Sequence, residues 1–144
     1  MSTGKTAPAK HHALGLLIAT GLAQMIVVID YMAIAVAMPD MAKDFGVLPV
    51  DLQWVITGYI LSFSAVLGIA GPLGDRFGRK RLLLIGIVIF GAVSIGVGLA
   101  NSAIMVIIAR IVQGLGAGLL FPLATAVISA GVSKENLPKT LSLL

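Results

Sequence analysis

Gly71-Pro72-Leu73-Gly74-Asp75-Arg76-Phe77-Gly78-Arg79-Lys80-Arg81 decides how this chain folds. Three glycines, one proline, one aspartate and four cations stand together between two long apolar runs. Glycine and proline punctuate regular structure, so the stretch reads as a compact turn. With an apolar run on each flank, a turn this short joins two helices on one side of a bilayer. Its cations say which side, because Lys and Arg collect in cytoplasmic loops.

Outward from that turn the sequence is dominated by oil. The 144 residues are 58% hydrophobic and 11% charged, where soluble domains carry about 25% charged residues. Such a chain cannot cover a water-facing surface, and the lipid bilayer is its expected solvent and first partner. A helix needs about 20 apolar residues to cross the hydrocarbon core, and four segments qualify: residues 13–38, 52–73, 82–100 and 103–132. Backbone groups in lipid bond internally, which makes these segments helices. The roughly 10-residue alternating stretches of a barrel are missing. Pro39-Asp40, residues 46–49, residues 74–78 and Asn101-Ser102 supply the turns, with Asp51 and Ser102 as N-caps of the second and fourth helices. Pro122 is expected to kink the fourth. The expectation is an all-α integral membrane fold: a cytoplasmic tail (1–12), a four-helix bundle (13–132) and a cytoplasmic segment (133–144).

Charge orients it. The tail holds Lys5 and Lys10, and the turn at 71–81 sets four cations against Asp75. The first loop sets Lys43 against Asp40, Asp44 and Asp51. Tail, second loop and C-terminal segment are therefore placed inside, in the plasma (inner) membrane.

Two charges interrupt the apolar runs. Asp30 lies eight residues before Met38, and Arg110 seven residues after Ala103. At about 1.5 Å per residue both sit roughly 10–12 Å from the outer surface, so they can pair or share a pocket. Intramembrane ionisable groups are expensive and mark ion or substrate paths, which makes Asp30 and Arg110 candidates for proton coupling; a purely structural pair is the alternative. Small and polar residues line the neighbouring faces. Gln53, Thr57, Ser64, Gly68 and Gly71 fall within roughly 60° of one face at about 100° per residue. Thr20, Gln24 and Tyr31 cluster on the first helix, and Arg110, Gln113, Gly114 and Ala117 on the fourth. Gln24, Tyr31, Thr57, Gln113 and Gly114 are candidate cavity lining. Gly114 and Gly118 also make a GxxxG spacing, a device for close packing. Trp54 suits the interfacial aromatic belt or a place beside substrate, and Tyr59 either contacts substrate or packs with its hydroxyl bonded across helices.

Four stretches together resemble one family. The turn at 71–81, at Gly71, Gly74, Asp75, Arg76, Gly78, Arg79 and Lys80, is similar to the loop between helices two and three of the major facilitator superfamily. The run from Arg110 through Gln113, Gly114, Gly116 and Gly118 resembles the helix-four motif of its proton-coupled members. Asp30 to Pro39 resembles helix one of the fourteen-span drug:proton antiporters of the EmrB/QacA type, and Trp54-Val-Ile-Thr57-Gly-Tyr59-Ile-Leu61 their second helix. Position 31 departs from the family's usual Thr. The resemblance implies two six-helix halves with substrate bound near the midplane, of which this chain supplies the first four helices. It implies that Asp75 holds the inward gate closed against a helix start in the other half. Arg76, Arg79 and Lys80 would join the accompanying salt bridges, while Arg81 only enforces topology. It also implies that Arg110 governs proton binding with Asp30 as its acidic neighbour.

The expected function is proton-coupled multidrug efflux, with a proton and a small amphipathic or cationic compound as partners. The C-terminal helices of the same transporter are a further expected partner. As the N-terminal part of a longer carrier, the four helices alone are expected not to transport. A metabolite importer of the same superfamily, a small four-helix exporter working as a dimer, and a non-transporting membrane subunit are the other readings. No cofactor, metal or nucleic acid is expected. Cysteine is absent, and adjacent His11 and His12 lack the further ligands zinc takes. An enzyme is not expected either, because HExxH, Walker-type and Gly-x-Ser-x-Gly patterns are missing.

Overall fold

A computed structural model describes residues 10–131, with side chains described for 18–126. Four helices follow in order: α1 (Lys10–Phe45), α2 (Gln53–Phe77), α3 (Arg79–Gly98) and α4 (Ala103–Gly131). Each is long and apolar enough to cross a membrane, and no strand occurs among the described residues. The tail before residue 10 and the segment after 131 lie outside the described residues.

The helices run through two places where the sequence suggests turns. Pro39 lies inside α1, which continues to Phe45. A proline in a helix interior costs about 3 kcal/mol. Beyond it, Met41, Ala42 and Phe45 pack with Leu52, Val55 and Val106, and apolar burial of about 1.5–3 kcal/mol per large side chain offsets that loss. Pro72 likewise sits inside α2, as membrane helices tolerate. The charged turn shrinks to one residue. Gly78 takes φ +93°; its N–H bonds the Gly74 carbonyl and its own carbonyl accepts from Leu82. One glycine thus ends α2 and starts α3, with a backbone conformation that costs a side chain about 1–2 kcal/mol.

The caps also differ. Asp51 does not cap α2: Leu52 stands at that position, and the Asp51 carboxylate instead accepts from the Leu48 N–H at 3.2 Å, closing the loop. Ser102 does cap α4, accepting from the Met105 N–H at 3.3 Å. Pro122 leaves α4 one continuous helix.

α4 is the hub. Half of its span is buried, against 11% for α1. Along α4, Ile111, Gly114, Gly118 and Leu123 face Gly58, Ser62, Val66 and Gly74 in turn, so α2 and α4 run parallel. Gly116 meets Gly86 and Phe90, and Gln113 meets Ser94, so α3 runs antiparallel to α4. The alternate glycines divide the labour. A Cβ on Gly114 would overlap the Ser62 hydroxyl and lie 2.5 Å from the Tyr59 carbonyl; one on Gly116 would lie 3.0 Å from the Gly86 carbonyl. Two faces of one helix thereby admit two neighbouring backbones, as small-residue packing in membranes requires. α1 packs on α4 rather than on α2, which leaves a groove between α1 and α2.

Candidate functional site

At mid-bundle the four helices meet through polar groups. The Arg110 side chain is fully buried. Its Nη1 donates to Asp30 Oδ2 of α1 at 2.5 Å and to Gln113 Oε1 at 2.6 Å, one turn along α4. Gln113 Nε2 donates to Asp30 Oδ1 at 3.0 Å and to Ser94 Oγ of α3 at 2.6 Å. α2 contributes Tyr59, whose ring centroid lies 4.1 Å from the Arg110 guanidinium carbon. Both carboxylate oxygens are thus engaged, and the Gln113 amide is oriented by three partners. Opposite unit charges in a low-dielectric site stabilise each other only when close and further hydrogen-bonded, and both conditions hold here.

The network is not closed. Tyr59 Oη, Arg110 Nε and Arg110 Nη2 are buried without a hydrogen-bond partner among the described residues. Tyr59 in turn begins an aromatic row: Tyr31 lies 6.3 Å away on α1, Phe63 stacks at 6.2 Å, and Phe121 meets Phe63 edge-on at 6.1 Å. The groove between α1 and α2, about 300 Å³, is lined by Val27, Tyr31, Tyr59, Ile60, Phe63 and Ser64.

Of the residues singled out in the sequence, Asp30, Arg110 and Gln113 bond directly, with Tyr59 stacked on them and Tyr31 beside Tyr59. Gln24 is half-buried on α1, outside the network. Trp54 and Thr57 are exposed, as are Gln53, Ser64, Gly68 and Gly71, so the small-polar stripe of α2 faces out of this bundle. Gly114 lies in the α2–α4 contact, where the missing Cβ serves packing rather than cavity lining. Ser94 was missed. Its signal was present, as a lone hydroxyl amid the apolar run of α3.

At the Gly78 turn the geometry is local and exposed. Arg79 donates to Asp75 Oδ1 through Nη2 at 2.8 Å and Nε at 3.0 Å, across the break between α2 and α3. Arg76 lies over the Phe77 ring at 5.4 Å, and Lys80 and Arg81 are exposed. Gly74 is buried, where a Cβ would fall 2.5 Å from Leu123 Cδ2.

Comparison with known proteins decides the family. The model of the Major Facilitator Superfamily matches residues 20–144. The chain belongs to this superfamily. It is 36% identical over 132 residues to the cephamycin export protein CmcT of Amycolatopsis lactamdurans, covering 92% of this chain and 27% of that protein. The puromycin resistance protein of Streptomyces alboniger is 38% identical over 107 residues (74% of this chain, 21% of the relative). The multidrug resistance protein Stp of Mycobacterium tuberculosis is 40% identical over 114 residues (79% and 21%). The chain thus spans about a fifth to a quarter of the length of these curated relatives. Superfamily membership and four membrane-spanning helices make it a multi-pass membrane protein.

Proposed function

We propose that this chain works as the N-terminal four helices of a drug:proton antiporter of the fourteen-span type, in the plasma membrane, with the Gly78 turn and the N-terminus cytoplasmic. One observation carries the reading: a carboxylate capable of protonation, Asp30, is held mid-bundle by Arg110 and Gln113 beside a groove open between α1 and α2. Protonating Asp30 removes the charge that neutralises a fully buried arginine. That state is disfavoured unless the helices rearrange or another group compensates, which is the coupling an antiporter needs. The relatives named for export or drug resistance support efflux of small amphipathic compounds as the direction of transport. Their greater length supports further helices of the same carrier as the working partner. Asp75, with Arg76, Arg79 and Lys80 around it, is suited to brace the cytoplasmic side against such a second half, because a carboxylate is favoured at a helix N-terminus.

The test uses the protein at its native length in everted membrane vesicles. Acidifying the lumen should drive uptake of an amphipathic drug, and collapsing the proton gradient with a protonophore should abolish it. Uptake that persists without a proton gradient, or that needs ATP, would remove the proposal.

A further inference from the structure

Going beyond the antiporter reading, we infer that the Gly78 end of α3 is a docking site for an anionic phospholipid, its phosphodiester on Arg81 and Lys80 and one acyl chain in the groove below Arg81. Only the cytoplasmic placement of the Gly78 turn is taken from that reading. The groove, about 400 Å³, is lined by Arg81, Leu84, Ile85, Val88 and Ile89. Arg81 and Ile89 are eight residues apart, about 12 Å along a helix, against a half-thickness of roughly 15 Å for the hydrocarbon core. The groove therefore lies within one leaflet, with a cation at its head. Composition says what covers it. α3 turns Leu83, Gly86 and Phe90 inward, with Gly86 against Gly116 of α4. Arg81, Leu84, Ile85 and Val88 form an exposed stripe without a small residue. Membrane helices meet one another through small residues, such as Ser64, Gly68 and Gly71 on the exposed face of α2. The large branched side chains of the α3 stripe suit acyl tails instead.

Charge names the headgroup. Arg76, Arg79, Lys80 and Arg81 share this end with one acid of the described residues, Asp75. Arg79 takes Asp75 through two hydrogen bonds, and Arg76 rests over the Phe77 ring. Lys80 and Arg81 have no ion pair among the described residues, and no acid stands in the first turn of α3. Cations in a first turn oppose the helix dipole, so an anion brought to them from outside is stabilising. Arginine binds phosphate oxygens bidentately, and anionic lipids attract basic side chains at the cytoplasmic surface. Lipid tails are as apolar as leucine, so the groove fixes where the lipid lies while the headgroup supplies selectivity. A protein helix laid over the same groove would have to bring its own carboxylate to Arg81. The arginine that the sequence assigns to topology alone thereby gains a ligand.

The experiment titrates the purified native-length protein in detergent with dioleoyl phosphatidylglycerol and dioleoyl phosphatidylcholine, which share their tails, and counts bound lipid by native mass spectrometry. The anionic lipid is expected to bind tighter by about fivefold or more. Arg81→Gln is expected to weaken it about fivefold, the effect of one basic side chain at an anionic headgroup, and to leave phosphatidylcholine within about twofold. Arg76→Gln removes a cation of the same end that does not line the groove, and both lipids should bind it nearly as before. Equal affinity for the two lipids on the unaltered protein would overturn the inference without any variant. So would an Arg76→Gln protein weakened as much as Arg81→Gln, the mark of diffuse surface charge. Displacement of the lipid by glycerol phosphate, which carries the charge without tails, would overturn it too. Binding in detergent needs no proton gradient. Loss of this selectivity would therefore leave the antiporter reading standing, and loss of proton-driven transport would leave the lipid site standing.

Discussion

The chain contains two aspartate–arginine pairs of identical chemistry in opposite settings. Asp75 and Arg79 are one helical turn apart in sequence and bond across Gly78 with side chains 63% and 44% exposed. Asp30 and Arg110 are 80 residues apart, and the arginine is wholly buried. An exposed local pair contributes about 0.3–0.5 kcal/mol, whereas breaking a buried pair from one side costs about 3–5 kcal/mol because a charge is left stranded. The first pair can break and reform cheaply. The second ties α1 to α4.

The comparison is broken most severely at the buried pair. Arg110→Ala should destabilise the purified protein by about 3–5 kcal/mol, read as a large fall in thermal midpoint in detergent; a fall no greater than that of Arg79→Ala would erase the distinction. Next comes the close packing that holds Arg110 in place. Gly114→Val must displace Ser62 and the Tyr59 backbone, at about 1–3 kcal/mol, and unaltered stability would mean that α2 and α4 do not approach as described. Gly78→Ala follows, at about 1–2 kcal/mol for its positive φ. Gly71→Ala, which meets open space, serves as its control and should cost less. Asp75→Asn is last in stability, below about 0.5 kcal/mol, yet it should impair transport if the carboxylate braces the second half of the carrier. Intact transport by that variant would reduce the turn to a topological signal.

The buried pair was legible in the sequence because depth along a membrane helix is a count of residues. Asp30 and Arg110 stand at matched distances from the ends of their apolar runs, and the structure joins them with Gln113. The number and order of helices were legible for the same reason. Their ends were not. Pro39, Pro72 and Gly74 are local breakers whose effect is overridden by contacts made elsewhere, such as Met41, Ala42 and Phe45 against Leu52 and Val106, or Gly74 against Leu123. Asp51 looked like a cap because its position suits one, but the cap depends on backbone angles that the loop sets differently. Ser94 escaped because nothing in α3 alone tells which of its faces meets Gln113. The α1–α2 groove was equally hidden, since it exists only because α1 packs on α4 instead of on α2.

Proton-driven accumulation by Asp30→Asn, in proteoliposomes holding the native-length protein, bears most directly on Asp30 as the coupling group. The amide keeps the size of the carboxylate and cannot take up a proton in the working range. Substrate exchange down its own gradient should persist, while accumulation driven by an imposed proton gradient should fall to the level of protein-free vesicles. Undiminished proton-driven accumulation would contradict the assignment and leave the Asp30–Arg110 pair a structural clasp.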